Sequence, residues 1–284
     1  MTYLNSQQVK ALSTAPSTST QNTPFLEYYS VYWGVYAKRD LSDCARSLAL
    51  ELLNEDYGWV SAKLLLAKVK HFRLLRFGTC SPFSGLHCAS FFGIVEVVAA
   101  LIEVGCYDIN EEDFSGCTPL SWAARNGHAE AVEFLLGRRE VNPDKPDNGG
   151  RTSFSYAAGA GHEGVVEILL EREEVNPDKP DNYGQTPFSC LAWSGDEGVV
   201  NILLGREDIN PDTPANHGQT PLSYAAIYGR EGVVKILLGR EEVNPDESDN
   251  YGRTPLSLAT ERGHERVVAL LQSRKVVTPP GSTI

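Results

Sequence analysis

No stretch of this sequence approaches the roughly 20 consecutive apolar residues that a membrane-spanning helix requires. Met1 to Lys10 lack the basic segment and apolar run of a secretory signal, which leaves an intracellular chain as the expectation, the cytoplasm favoured over the nucleus. None of the six cysteines (Cys44, Cys80, Cys88, Cys106, Cys117, Cys190) stands in a Cys-x-x-Cys pair, and 284 residues is long for a disulfide-stapled domain. They are expected to be reduced, small apolar packing residues. Also missing are a Gly-x-x-x-x-Gly-Lys-Ser/Thr loop, a Gly-x-Ser-x-Gly elbow, a His-Glu-x-x-His zinc site and a dinucleotide fingerprint. No motif supports an enzyme.

Positive charge is scarce as well. The formal net charge is −12, and it is divided unevenly. Residues 1–79 carry nine Lys/Arg against six Asp/Glu, whereas residues 80–284 carry sixteen against thirty-one. Such an excess repels phosphate backbones, so direct nucleic-acid binding is not expected and a protein partner with a basic or mixed surface is favoured.

What the sequence has in abundance is repetition. Gly116-Cys117-Thr118-Pro119-Leu120 recurs, 34 residues on, as Gly150-Arg151-Thr152-Ser153-Phe154. The spacing persists for the copies beginning at Gly184, Gly218 and Gly252, and a degraded copy, Ser84-Gly85-Leu86, lies upstream. Six units result, at about 80–113, 114–147, 148–181, 182–215, 216–249 and 250–273.

Each unit spells out two helices. Thr118, Thr186, Thr220 and Thr254 suit an N-cap, and the proline after each suits the first helical position. Small pairs follow (Ala123-Ala124, Ala157-Ala158, Ala225-Ala226), small enough for helices to approach closely. Gly127, Gly161, Gly195, Gly229 and Gly263 are placed to stop the helix with positive φ. A second helix carries an apolar stripe, for example Val165-Val166 with Ile168-Leu169-Leu170. The Asn-Pro-Asp stretch after it reads as a loop. One hairpin cannot cover its own stripe, so the units must stack around a shared core. In the last unit Gln272 takes the place of Leu136, Leu170, Leu204 and Leu238, as suits a terminal unit.

Gly-x-Thr-Pro-Leu-x-x-Ala-Ala-x-x-Gly-His, nearly whole from Gly116 to His128, resembles the ankyrin repeat over residues 80 to about 273. Serine replaces the first motif histidine at Ser121, Ser155, Ser189, Ser223 and Ser257, and the second becomes Asp196 and Arg230. The resemblance implies an all-α solenoid of helix-turn-helix repeats with β-hairpin or loop fingers. It implies a protein-binding scaffold, adaptor or sensor module, and no cofactor. The wording Gly-His-Glu-Gly-Val-Val and Asp-Asn-Tyr-Gly is similar to fungal ankyrin arrays. Residues 24–77, with Phe25, Tyr32, Trp33 and Tyr36, resemble the helical segment before the repeats in fungal NACHT-type receptors.

Upstream of the repeats, residues 1–23 are Ser/Thr-rich and expected to be disordered, and 274–284 form a flexible tail. Residues 24–79 read as a capping segment with helices near 25–38, 41–54 and 58–76. Lys63, Lys68, Lys70, Arg73 and Arg76 give its last helix a cationic edge. A nuclear import signal there would fit the alternative of a transcriptional coregulator acting through a transcription factor, for instance of a fungal metabolic gene cluster.

Three chemical constellations are set aside. His128, His162 and His264 occupy equivalent places, but neighbouring units stand roughly 8–10 Å apart and Zn–N bonds span about 2.0–2.1 Å. They are expected to hydrogen-bond at a helix start. The ladder Asp144, Asp178, Asp212 and Asp246 fails as a calcium site for the same reason. His87-Cys88, near Cys80, falls inside the repeat motif and reads as packing.

The ankyrin resemblance places ligands on the concave side, against finger tips and first-helix ends. By position these are Phe114, Arg151, Tyr183, Gln185, His217, Tyr251 and Arg253 on the fingers. Phe91, Phe92, Arg125, Asn126, Trp193, Ile227, Tyr228 and Arg262 lie on the helix ends. They vary between repeats while packing positions stay nearly constant. Several are aromatic or arginine, the usual interface anchors.

Overall fold

The computed structural model describes residues 83–104 and 107–274. The expected helices of the capping segment, the basic run of 63–76 and the two terminal stretches lie outside those residues, as do Cys44, Cys80 and Cys106. Among the described residues the regular structure is twelve α-helices and no strand. Alternate helices form the first row: α1 (Gly85–Phe92), α3 (Pro119–Arg125), α5 (Ser153–Ala160), α7 (Pro187–Ser194), α9 (Pro221–Ile227) and α11 (Pro255–Arg262). The second row is α2 (Val95–Val104), α4 (Ala129–Leu136), α6 (Glu163–Leu170), α8 (Glu197–Leu204), α10 (Glu231–Leu238) and α12 (Glu265–Arg274). Each helix packs on its hairpin partner and on the equivalent helix of the next unit, so the all-helical repeat stack expected from the sequence is what forms.

The first-row helices begin where the threonines stand. Thr118, Thr186, Thr220 and Thr254 each accept a bond from the backbone N–H of the serine three residues on, at 3.2–3.3 Å. Thr152 does the same for α5 although its unit has Ser153 in place of proline, and Ser84 caps α1. Each cap satisfies N–H groups that have no partner inside the helix, worth about 1 kcal/mol. The five glycines expected to stop these helices all have positive φ. At Gly161 (φ +76°) only glycine fits: a Cβ there would lie 2.8 Å from an Asp196 carboxylate oxygen.

The core is one strip running between the rows. From the first row come Ala123, Ala124, Ala157, Ala158, Ala192, Ala225, Ala226 and Ala259, all without exposed surface, together with Phe154 and Phe188. Valines and leucines of the second row meet them, Val166, Val200 and Val234 with Leu169, Leu203 and Leu237. Each such leucine contributes about 1.5–3 kcal/mol by leaving water. The alanines let neighbouring first helices approach closely, which keeps that row and the fingers attached to it in tight register. In α12 Gln272 is exposed, whereas Leu136 is buried and Leu170, Leu204 and Leu238 are half-buried.

The motif histidines do something other than cap the helix they precede. His128 and His162 make no side-chain cap bond to their own helices. Instead Nε2 of His128, His162 and His264 donates to the carbonyls of Phe91, Arg125 and Ile227, at 2.8, 3.1 and 2.9 Å. A carbonyl can only accept, so Nε2 carries the proton in each. The ring thereby ties the end of one first helix to the following unit, 37 residues later. Arg230 makes the same tie, its Nε donating to the Trp193 carbonyl at 2.9 Å. Asp196 is too short to reach across and caps α8 through Val199 N–H.

Candidate binding surface

The fingers between units are built on an aspartate. In Asp113, Asp147, Asp181 and Asp249, Oδ1 accepts from the backbone N–H groups two and four residues on, at 2.8–2.9 Å. This Asx geometry closes the turn locally, with one hairpin-type bond such as Asp147 N–H to Arg151 carbonyl at 2.8 Å. Ala215 interrupts the series, yet Ala215 N–H still reaches the Gln219 carbonyl at 2.9 Å. The sequence reading overlooked this role, although aspartate recurring at the 34-residue period was a signal for it.

Neighbouring fingers are laced together. Nδ2 of Asn148, Asn182, Asn216 and Asn250 donates to the carbonyls of Phe114, Asn148, Asn182 and Asn216, at 2.9–3.2 Å. The backbone N–H of each also bonds the preceding finger, as Asn182 does to the Gly149 carbonyl at 2.9 Å. These side chains are committed to holding the fingers in file. The residues beside them are the ones left to face outward.

The expected contact residues divide into three groups. Phe114, Tyr183, Trp193, Tyr228 and Tyr251 are 47–71% exposed, and they are the large apolar side chains found exposed among the described residues. Trp193 and Tyr228, on successive helix ends, meet edge to face with ring centroids 5.8 Å apart. Arg125, Arg151, His217 and Arg262 are also exposed. A second group is half-occupied by the fold. Asn126 donates to the Trp122 carbonyl at 2.8 Å, Gln185 to the Tyr224 hydroxyl at 2.9 Å, and Arg253 pairs with Asp249 at 2.8 Å. Phe91, Phe92 and Ile227 are half-buried; Phe91 lies against Phe92 and Trp122, at 4.9 and 5.7 Å.

Below the surface the second carboxylate oxygens of the finger aspartates are occupied. Trp122 Nε1 donates to Asp113 Oδ2 at 2.9 Å and the Tyr156 hydroxyl to Asp147 Oδ2 at 2.5 Å. Two guanidinium groups flank the Tyr156 ring, Arg125 at 5.1 Å and Arg151 at 5.0 Å from its centroid. Burial pushes the Tyr156 hydroxyl above its ordinary range, so it remains a donor to Asp147. Sequence reasoning named both arginines but not the ring that holds them.

The rejected chemistry can be judged directly. His87 is buried and donates from Nε2 to the carbonyls of Cys117 and Glu111, at 3.1 and 3.2 Å, while Nδ1 accepts from Ser84 N–H. Burial lowers its pKa to about 4 and raises that of Cys88 to about 12. A ring already committed on both nitrogens and a thiol kept protonated do not make a base and nucleophile. Among the described residues no group of three or more His, Cys, Asp or Glu could hold a metal ion.

A family model for ankyrin repeats matches three times, over residues 61–147, 139–215 and 192–278. The chain belongs to the ankyrin repeat family. Its first ankyrin match begins at residue 61, upstream of the described residues. Among solved structures, an ankyrin repeat domain from Acinetobacter baumannii AYE is similar, with a TM-score of 0.57 and 25% identity. The match covers 67% of this chain and 97% of that one. No curated protein matches. Ankyrin repeats generally mediate protein–protein interaction. No helix among the described residues is long and apolar enough to cross a membrane.

Proposed function

We propose that this ankyrin stack is a scaffold, adaptor or sensor module that holds a partner protein on its concave side. The observation that carries this reading is that, among the described residues, the exposed large aromatics are confined to finger tips and first-helix ends, at Phe114, Tyr183, Trp193, Tyr228 and Tyr251. Isolated exposed apolar residues are common on any protein. Here they share one edge of the repeat, and the Asx turns and asparagine lacing hold that edge rigid. A rigid aromatic loses little entropy on binding and can bury about 150–250 Å². The partner has a basic or mixed surface, in keeping with the thirty-one acidic residues of 80–284. The resemblance of the repeat wording to fungal ankyrin arrays, and of residues 24–77 to the segment before the repeats in fungal NACHT-type receptors, is in keeping with a sensor role in the cytoplasm.

The test is capture of partners from cell extract by the full chain and by a Trp193→Ala/Tyr228→Ala double variant, identified by mass spectrometry. A true partner binds the double variant at least ten-fold more weakly while its thermal midpoint stays within about 2 °C, as expected for exposed side chains. Equal capture by both proteins would remove the concave site from consideration.

A further inference from the structure

Among its outward-facing side chains, the edge that carries the exposed aromatics reverses the charge sign of the chain around it. Its finger tips and first-helix ends present four arginines, Arg125, Arg151, Arg253 and Arg262, and one exposed carboxylate, Glu261, while the finger aspartates Asp113, Asp147 and Asp249 lie buried beneath and Asp181 is half-buried. Arg253 is engaged with Asp249, and Arg151 lies 3.6 Å from Asp147. Arg125 has no carboxylate partner among the described residues. Its guanidinium rests instead between two aromatic faces, 5.4 Å from the Trp122 centroid and 5.1 Å from that of Tyr156. Arg151 lies over the same Tyr156 ring at 5.0 Å.

A guanidinium held over aromatic rings keeps its charge near the ring face and can still turn N–H groups outward. Both guanidiniums lie over one ring and both side chains are exposed, so together they offer N–H donors to carboxylate oxygens. The frame beneath is fixed at both ends. His162 bonds the Arg125 carbonyl at 3.1 Å, and Asp147 closes the finger that bears Arg151 through its N–H at 2.8 Å. The −12 charge of the chain makes this cationic spot locally distinctive rather than part of a general basic field.

Farther along the same edge the character changes. Trp193 and Tyr228 form an exposed aromatic pair, with no arginine over either ring among the described residues. Arg125 ends α3, and Trp193 is the penultimate residue of α7, two units on. Units standing roughly 8–10 Å apart put about 16–20 Å between these places. An extended chain rises about 3.3 Å per residue, so about five or six residues bridge that distance.

Resting on the concave-surface reading, we infer that the segment recognised on the partner is bipartite. A Glu or Asp carboxylate seats on Arg125 and Arg151, and an apolar or aromatic residue five or six positions away seats against Trp193 and Tyr228. The partner surface is therefore mixed in a specified order, with an acidic end toward the second and third units. The two arginines supply charge-assisted bonds that lose strength with salt, and the aromatic pair supplies a contact that does not.

Selection of a random twelve-residue peptide library on the full 284-residue chain tests this. The enriched peptides should carry Asp or Glu five or six positions from Trp, Phe, Tyr or Leu. Arg125→Gln should weaken them about ten-fold, the cost of one charge-assisted contact, and Arg125→Gln/Arg151→Gln further. Arg125→Gln removes no ion pair of the fold, only its contacts over the Trp122 and Tyr156 rings, so its thermal midpoint is measured alongside to separate lost affinity from lost stability. Peptides that require Trp193 and Tyr228 but ignore both arginines would overturn the bipartite segment and leave the concave site standing. Binding indifferent to all four residues would overturn both. Enrichment of basic peptides, or of none, would also refute the carboxylate site.

Discussion

Two glycines three residues apart should respond to the same substitution with opposite sign. Gly161 ends α5 at φ +76°, and a Cβ there would stand 2.8 Å from an Asp196 carboxylate oxygen and 3.1 Å from its Cγ. Alanine in a left-handed conformation costs roughly 1–2 kcal/mol. Displacing Asp196 also endangers its 2.9 Å cap to Val199 N–H, worth about 1 kcal/mol. Gly164 is the second residue of α6, is exposed, and has nothing within 4 Å of the position a Cβ would take. Alanine there gains about 0.5–1 kcal/mol by restricting the unfolded chain. For a stack of this length about 1 kcal/mol corresponds to a 2–4 °C shift in midpoint. Gly161→Ala should then lower the midpoint by about 4–12 °C and Gly164→Ala raise it by about 1–4 °C. Thermal unfolding followed by circular dichroism gives both values. Shifts of the same sign would refute the assignment of one glycine to backbone need and the other to a tolerant helical position.

Two further predictions follow from groups the folded chain leaves strained electrostatically. Lys179 pairs with Asp144 at 2.7 Å, but Thr213 and Glu247 occupy the equivalent places beside Asp178 and Asp212. One oxygen of each of those carboxylates is buried without a hydrogen bond, and burial raises both pKa values. A raised carboxyl pKa means stability is lost as pH rises through it, so at neutral pH Asp178 is a liability. Thr213→Lys should stabilise the chain by about 0.5–1 kcal/mol at pH 7. In urea unfolding the gain should vanish near pH 3, where the carboxyl is protonated; a gain independent of pH would argue against the pairing. His87 works in the other direction. Burial lowers its folded pKa to about 4, below the ordinary histidine value of 6.5, so the folded state resists protonation and stability falls as pH drops from 6.5 toward 4. Between pH 7.5 and 4.5 the wild type should lose about 2–3 kcal/mol more than His87→Gln. Parallel urea profiles would show that the buried ring does not govern this loss.

How much of this was legible follows from how far apart the interacting residues are in sequence. Threonine caps, stopping glycines and the valine–leucine stripe act within one helical turn, and all were readable from spacing alone. The exposed aromatics were readable because they break a pattern that packing otherwise keeps constant, as Trp193 does against Ala-rich neighbours. Apart from the finger aspartates, whose bonds reach only two and four residues on, the missed features join residues about 31–37 positions apart or depend on which atoms face each other across units. His162 looked like a helix start because it stands at one; its partner is the Arg125 carbonyl of the previous unit. The Asn182 side chain, next to the exposed Tyr183 on its finger, is spent on the Asn148 carbonyl of the previous finger. The Arg125–Tyr156–Arg151 stack exists only because the period brings consecutive units into contact.

Hydrogen–deuterium exchange of the chain with and without a captured partner tests the proposed surface most directly. The account predicts added protection at the fingers, residues 114–117, 148–151, 182–185, 216–219 and 250–253, and at the ends of α3, α7 and α9. The outward face of the second row, with Glu133, Glu167, Asn201 and Lys235, should exchange as before. Protection on that second row, with the fingers unchanged, would contradict the claim that partners are held on the concave edge.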